Sequence, residues 1–246
     1  MKNTCIIIPA RYKSSRFPGK PLVKLLGKPM ILWVAELANK VLPKKDIYIA
    51  TDNELIKDKV LENDFNYIKT GDTLTGTDRV ALASQELKYD IFINIQGDEP
   101  LLDPKDIERC INLKMKYPDY IFNGFNIMSK DEDPYSTNIP KVITNSENDL
   151  IYISRALIPS QKKAIKEIII EYKKQVCIYG FSKEELNKFY NYGKKSYLEE
   201  IEDIEILRFL ELNTKIKMFK CSKGSIAVDI PSDVERVERL LMKINS

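Results

Sequence analysis

Thr4-Cys5-Ile6-Ile7-Ile8-Pro9-Ala10-Arg11-Tyr12-Lys13-Ser14-Ser15-Arg16-Phe17-Pro18-Gly19-Lys20-Pro21-Leu22 is an apolar run that empties into a polar loop. Ile6–Pro9 has the near-continuous hydrophobicity of a strand buried on both faces, the signature of a parallel sheet. The loop that follows carries four cations (Arg11, Lys13, Arg16 and Lys20), two serines and one glycine. Cations supply charge to a polyphosphate, while hydroxyls and free backbone N–H groups supply donors to its oxygens. The spacing is neither G-x-x-x-x-G-K-[ST] nor G-x-G-x-x-G, which argues against a P-loop ATPase and against a dinucleotide fold.

Outward from this opening, apolar runs alternate with amphipathic ones. The pattern predicts a helix from Pro29 to Lys40, a strand over Asp46–Ala50 and a helix over Glu54–Glu62. A strand over Phe65–Lys69, a helix over Asp78–Lys88 and a strand over Ile91–Ile95 continue the series. The fold expected is α/β, a mostly parallel Rossmann-like sheet with a small inserted β/α subdomain, all in one domain over residues 1–246. Such sheets bind ligands beyond the carboxyl ends of their strands. The second half reads differently. A hairpin is expected from Lys141–Thr144 and Leu150–Ile153, strands at Ile168–Ile170 and Val176–Tyr179, and one helix over Leu198–Leu212. Residues 138–192 read as an insertion serving as a lid or a dimer surface.

Composition narrows the chemistry. The 246 residues are 43% hydrophobic and 30% charged, which supports a packed core. A net charge of +3 is too balanced for a nucleic-acid binder. The sequence holds no histidine, which removes Cys/His zinc sites, histidine bases and Ser-His-Asp triads. The four cysteines show no C-x-x-C spacing and read as reduced thiols. No run is long enough for a signal peptide core or a membrane span, so a soluble cytoplasmic protein without membrane partners is expected.

Three further stretches carry chemistry. In Asn94-Ile95-Gln96-Gly97-Asp98-Glu99-Pro100 a buried strand runs into a glycine turn with Asp98 at its tip, where a carboxylate suits Mg²⁺, a hard cation. In Ser225-Ile226-Ala227-Val228-Asp229-Ile230-Pro231-Ser232-Asp233, Asp229 is placed to be a second metal ligand and Asp233 to cap the last helix. Gly71-Asp72-Thr73-Leu74-Thr75-Gly76-Thr77-Asp78-Arg79 leads into a helix whose N-terminus can donate to a base or ribose.

With Ala50-Thr51-Asp52, Ile153-Ser154-Arg155-Ala156-Leu157-Ile158-Pro159, Ile178-Tyr179-Gly180 and Leu198-Glu199-Glu200-Ile201-Glu202, these stretches resemble the 3-deoxy-manno-octulosonate (Kdo) cytidylyltransferases over nearly the whole chain. The resemblance implies a homodimeric nucleotidyltransferase that joins CTP to the anomeric hydroxyl of a 3-deoxy acid sugar and releases pyrophosphate. By that resemblance Arg11, Ser14 and Lys20 hold the triphosphate, Thr77 and Arg79 lie near the nucleotide, and Asp98 and Asp229 bind Mg²⁺. Arg11, Lys20, Asp98 and Asp229 form the catalytic set. Gln96, Arg155, Gln175, Tyr179, Glu199 and Glu202 lie near the acid sugar. Three positions depart from the family pattern, with Thr73, Gln175 and Glu200 standing where histidine is usual. They leave open a variant acid sugar, such as an amino-substituted one. Two other readings stay open, a cytidylyltransferase for a different acid, phosphate or phosphonate acceptor, and a non-catalytic nucleotide-binding subunit.

Overall fold

The computed structural model describes residues 3–13, 17–161, 170–222, 226–228 and 230–245. The chain opens with β1 (Thr4–Pro9), followed by a small hairpin of β2 (Lys24–Leu25) and β3 (Lys28–Pro29), then α1 (Met30–Asn39). Three further strand–helix units follow, β4 (Ile47–Thr51) with α2 (Glu54–Leu61), β5 (Asn66–Lys69) with α3 (Gly76–Gln85), and β6 (Ile91–Ile95) with α4 (Pro104–Lys116). β7 (Ile121–Ile127) precedes the hairpin of β8 (Lys141–Thr144) and β9 (Leu150–Ser154), and β10 (Lys173–Ser182) leads into α5 (Lys183–Asn191). The chain ends with α6 (Tyr197–Glu202), α7 (Ile206–Glu211), β11 (Ile216–Lys220) and α8 (Asp233–Asn245).

The strands join in the order β11-β7-β10-β6-β1-β4-β5. β5, β4, β1 and β6 run parallel to one another, as do β11 and β7, whereas β10 enters antiparallel between β6 and β7. The mostly parallel α/β sheet expected from the strand hydrophobicity is present. Side chains alternate across it with the period of two that a strand imposes. Ile6, Ile8, Ile93 and Ile95 pack on one face against α1, α2 and α4 residues such as Val34, Ile56 and Ile107. Cys5, Ile7 and Phe92 pack on the other against Val80 of α3, Leu186 and Phe189 of α5, and Phe209 of α7. A third cluster seats Val237 and Leu241 of α8 on Leu25, Met30 and Val228.

Helix starts follow their caps. Asn53 accepts from Ile56 N–H to begin α2, Asp103 from Lys105 N–H to begin α4, and Ser182 forms a capping box with Glu185 to begin α5. Two expectations need correction. The single helix over Leu198–Leu212 is broken into α6 and α7 at Asp203, which takes a left-handed φ of 49°. Of the strand expected over Ile168–Ile170, residues 168 and 169 lie outside the described residues and Ile170 is in no strand. Within 138–192 the parts separate. β8 and β9 lie off the main strand path, while β10 is a central strand and α5 packs against α3. Among the described residues, no helix is long and apolar enough to cross a membrane.

Candidate active site

At the carboxyl edge of β1 and β6 lies a cavity of about 160 Å³ lined by thirteen residues, among them Arg11, Lys20, Thr75, Gly76, Arg79, Gln96, Asp98 and Glu205. Three of the four sequence signals meet here, as expected for ligands beyond the carboxyl ends of parallel strands. The loop after β1 is turned back by Gly19, whose φ of 71° favours glycine, and Gly19 N–H donates to the carbonyl of Tyr12. Lys20 then reaches across to the turn after β6, with Nζ 2.5 Å from Asp98 Oδ2. Both side chains retain access to the cavity, at 17% and 24% exposure. Gly97 makes the turn possible, since a Cβ there would lie 3.2 Å from the Pro9 carbonyl oxygen.

Asp98 is also tied to the C-terminal stretch, as Val228 N–H donates to the Asp98 carbonyl at 3.0 Å. That bond places the residue preceding Asp229 beside Asp98. Asp229 and Ser14 themselves lie outside the described residues, and among the described residues no three metal-ligating side chains stand together. The donor chemistry fits a hard divalent cation in part. Asp98 presents carboxylate oxygen at the cavity and the backbone brings residue 228 to it, although Lys20 serves as its cation partner here.

Arg79 enters from α3, 3% exposed and held by Asp52 at 3.5 Å and by the Thr70 hydroxyl. Burial pulls its guanidinium below the ordinary arginine range, and the Asp52 carboxylate opposes that shift. The N-terminus of α3 is already occupied. Thr75 Oγ1 caps Asp78 N–H at 3.1 Å, while Glu205 takes Gly76 N–H on Oε1 at 3.0 Å and Thr77 N–H on Oε2 at 2.6 Å. Thr77 is therefore buried against Glu205 rather than lining the cavity, and those amides are not open to a base or ribose in this structure. Burial lifts the Glu205 carboxyl above the ordinary range, and its bonds to Thr77 and Gly76 oppose the shift.

The sequence reading missed Glu205. Its signal was the run of Glu199, Glu202, Glu205 and Arg208, whose spacing of three makes each a helix-surface neighbour of the next. The break at Asp203 turns that run so that, of the four, Glu205 alone lines the cavity.

The expected acceptor-side residues divide. Gln96 lines the cavity, its amide 3.5 Å from where a Gly76 Cβ would stand. Tyr179 and Gln175 stand behind it on β10, with Gln175 Nε2 3.2 Å from the Tyr179 hydroxyl. Burial pushes that hydroxyl well above the ordinary tyrosine range, and the carboxylates of Glu205 and Glu99 add to the shift. Arg155, Glu199 and Glu202 do not line the cavity. Arg155 donates to the carbonyls of Glu202, Thr137 and Asp203 at 2.6, 2.8 and 2.9 Å. Glu202 accepts from the Ser154 hydroxyl at 2.5 Å and Arg155 N–H at 2.8 Å. Glu199 is 1% exposed and bidentate to Arg208, which also grips Asp78 at 2.8 Å and lies over the Phe189 ring at 3.6 Å. These three residues fasten α6 and α7 to the sheet and thereby fix where Glu205 projects. Glu200 is exposed and pairs loosely with Lys195 at 3.9 Å.

The sequence and the fold that build this cavity have counterparts among known proteins. The sequence profile of the cytidylyltransferase family matches residues 5–216. A mitochondrial 3-deoxy-manno-octulosonate cytidylyltransferase of Arabidopsis thaliana is 37% identical over 97% of this chain and 83% of its own length. An 8-amino-3,8-dideoxy-manno-octulosonate cytidylyltransferase of Shewanella amazonensis is also 37% identical, over 97% of this chain and 98% of its own. A solved CMP:2-keto-3-deoxy-manno-octonic acid synthetase complexed with CTP superposes with a TM-score of 0.89 at 33% identity, covering 98% of this chain and 99% of that one. This chain belongs to the cytidylyltransferase family of CTP-dependent nucleotidyltransferases.

Proposed function

We propose that the protein joins CTP to the anomeric hydroxyl of a 3-deoxy-2-ulosonic acid sugar, Kdo or a close variant, giving the CMP-sugar and pyrophosphate. The observation that carries this reading is the convergence of Arg11, Lys20, Asp98, Gln96 and Arg79 on one cavity at the carboxyl edge of the sheet. The hydroxyl oxygen forms a bond to the α-phosphorus of CTP, the bond to the β-phosphate oxygen breaks, and the hydroxyl proton leaves to solvent. Arg11 and Lys20 bind the triphosphate and stabilise the charge that develops on departing pyrophosphate. Ser14 adds a hydroxyl donor to that grip. Lys20, released from Asp98 by the incoming phosphates, keeps its charge where the leaving group forms. Arg79 and the Thr77 segment border the nucleotide, while Gln96 and Tyr179 border the sugar and hold its hydroxyl in line. Asp98 and Asp229 would hold Mg²⁺, which supplies Lewis-acid charge to the phosphate and lowers the pKa of a nearby hydroxyl. Two-fold self-association fits this reading, with the β8–β9 hairpin as its surface or as a lid. The four cysteines are free thiols, which suits a reducing compartment, and on that ground we place the reaction in the cytoplasm.

Pyrophosphate release from CTP and Mg²⁺, with and without Kdo and with related acid sugars, tests the assignment. Release that depends on an acid sugar is the expected result. Bound CTP with no release for any acceptor would sink it.

A further inference from the structure

A second cavity, of about 520 Å³, opens between α1, the loop joining β6 to α4, and α8, and it has no lining residue in common with the catalytic one. Its volume lies in the range of small-molecule sites. α1 and its C-cap supply Trp33, Glu36, Leu37 and Lys40, whose spacing of three and four puts them on one face. Pro100, Leu101 and Leu102 form a second wall, and Leu241 and Ile244 of α8 a third. Trp33 is held as a preformed surface. Its Nε1 donates to the Leu25 carbonyl at 2.9 Å, and Lys28 Nζ lies 4.1 Å from the ring centroid. A mostly apolar lining with an oriented aromatic ring is the makeup of a site that takes an apolar body.

The charged groups of the lining are Lys28, Glu36, Lys40 and Asp103. Glu36 precedes Lys40 by four residues, the favourable order and spacing for a helical ion pair. Its carboxylate is committed elsewhere, to Lys28 Nζ at 2.5 Å. Asp103 is committed to the start of α4, where it accepts from Lys105 N–H at 2.9 Å. Lys40 is exposed, and among the described residues its ammonium has no ion-pair partner. The cavity therefore joins an apolar surface to one unanswered positive charge.

We propose that this cavity is a second ligand site, for a small amphipathic carboxylate whose apolar body lies against Trp33, Leu37, Leu101 and Ile244 and whose anionic end pairs with Lys40. A neutral ligand would leave Lys40 unanswered, and a cation would meet it with like charge, so an anion is the occupant that charge complementarity selects. Burial of the apolar body supplies most of the affinity. An exposed ion pair adds only modestly to it, so the preference for the acid over an uncharged analogue is about fivefold. An aromatic acid and a short acyl chain share this chemistry.

Trp33 is the only tryptophan in the chain, so its fluorescence reports this cavity directly. The probes are phenylbutyrate and octanoate, each set against its alcohol, phenylbutanol or octanol. A saturable change with at least one acid, about fivefold tighter than its alcohol, is the expected result, and the tighter acid tells a ring from a chain. Lys40→Gln should bring acid and alcohol to equal affinity. Ile244→Asp, at an exposed position where substitution spares the core, should weaken binding of the acid by setting a carboxylate at its seat. An unchanged melting temperature shows that both variants are folded. No saturable response to either acid, an alcohol that binds as tightly as its acid, or a preference that survives in Lys40→Gln overturns the proposal. So does a fluorescence change that follows protein concentration with no probe present, which would give the groove to a second copy of the chain.

Discussion

From β1 to β6 the chain repeats one plan, in which a parallel strand ends, a loop crosses the carboxyl edge and a helix returns. From β7 onward that plan is abandoned. β10 enters antiparallel, its pairing with β7 is bulged, and the helical run beyond α5 is broken into α6 and α7 at Asp203. The two regions also spend their charges differently. In the first, Lys20 and Asp98 face each other across the cavity with access to solvent. In the second, Arg208 is wholly buried between Asp78 and Glu199, and Arg155 is consumed by backbone carbonyls. Charge in the nucleotide half is kept available for a ligand. Charge in the other half holds the wall that the ligand meets.

Asp98→Ala should separate the two roles most sharply. Its loss removes the carboxylate at the reacting centre, and turnover should fall by about 10²–10³-fold, the scale of losing one preorganised electrostatic group. The fold should barely respond, because a solvent-accessible ion pair such as Lys20–Asp98 contributes only about 0–1 kcal/mol. Steady-state kinetics beside a denaturation curve reads both. A variant that unfolds, or one that turns over normally, breaks the contrast.

Arg208→Met is the converse. Arg208 is 0% exposed and neutralises two carboxylates that are themselves buried, so truncating it leaves Asp78 and Glu199 without a counter-charge. Removing one partner from such a network costs about 3–5 kcal/mol. Urea denaturation should show that loss with an unchanged slope. A loss below about 1 kcal/mol would mean that the network is not what fastens α7.

The contrast also explains what could be read from the chain alone. The loop after β1, the turn at Asp98 and the start of α3 are short, contiguous segments whose residue types state their chemistry, and the parallel strand plan brings them to one edge. The acceptor wall is not contiguous in this sense. Glu205 reaches the cavity only because Asp203 adopts a left-handed conformation, and a run as helical as Leu198–Leu212 does not announce that break. The pairing of Arg155 with carbonyls of residues 137, 202 and 203 depends on contacts distant in sequence. Residue type marked Arg155, Glu199 and Glu202 as polar and placed, but not whether they serve the substrate or the scaffold. The four parallel strands and the first three helices were legible because each obeys its own local period. β2, β3, β7, β11, α4 and α5 went unread, and β10 was read as a short strand without its place between β6 and β7.

Glu205 sits on the border between the two regions, and its titration tests which side it belongs to. It lines the cavity, yet its two oxygens hold the first amides of α3. Burial raises its carboxyl above the ordinary value of 4.5, with Asp78 adding to the shift and the bonds from Thr77 and Gly76 opposing it. A raised folded-state pKa means that the folded protein holds this proton more tightly than the unfolded chain. Its contribution to stability is therefore fully present below pH 4.5 and is lost as pH rises through the elevated value, opposite to a salt-bridged carboxylate. Glu205→Gln should abolish that decline, because an amide has no proton to lose. It keeps one carbonyl oxygen for the α3 amides, so the loss at low pH should be no more than about 1 kcal/mol, the net value of a single hydrogen bond. Stability of both proteins measured from pH 4 upward isolates the residue, since other buried acids such as Asp106 are common to both curves. Curves that converge as pH rises assign Glu205 to the cavity, as a group retained there at a cost in stability. Parallel curves would mean that the helix amides hold the ionised carboxylate as well as water does, and that the border residue is simply a cap.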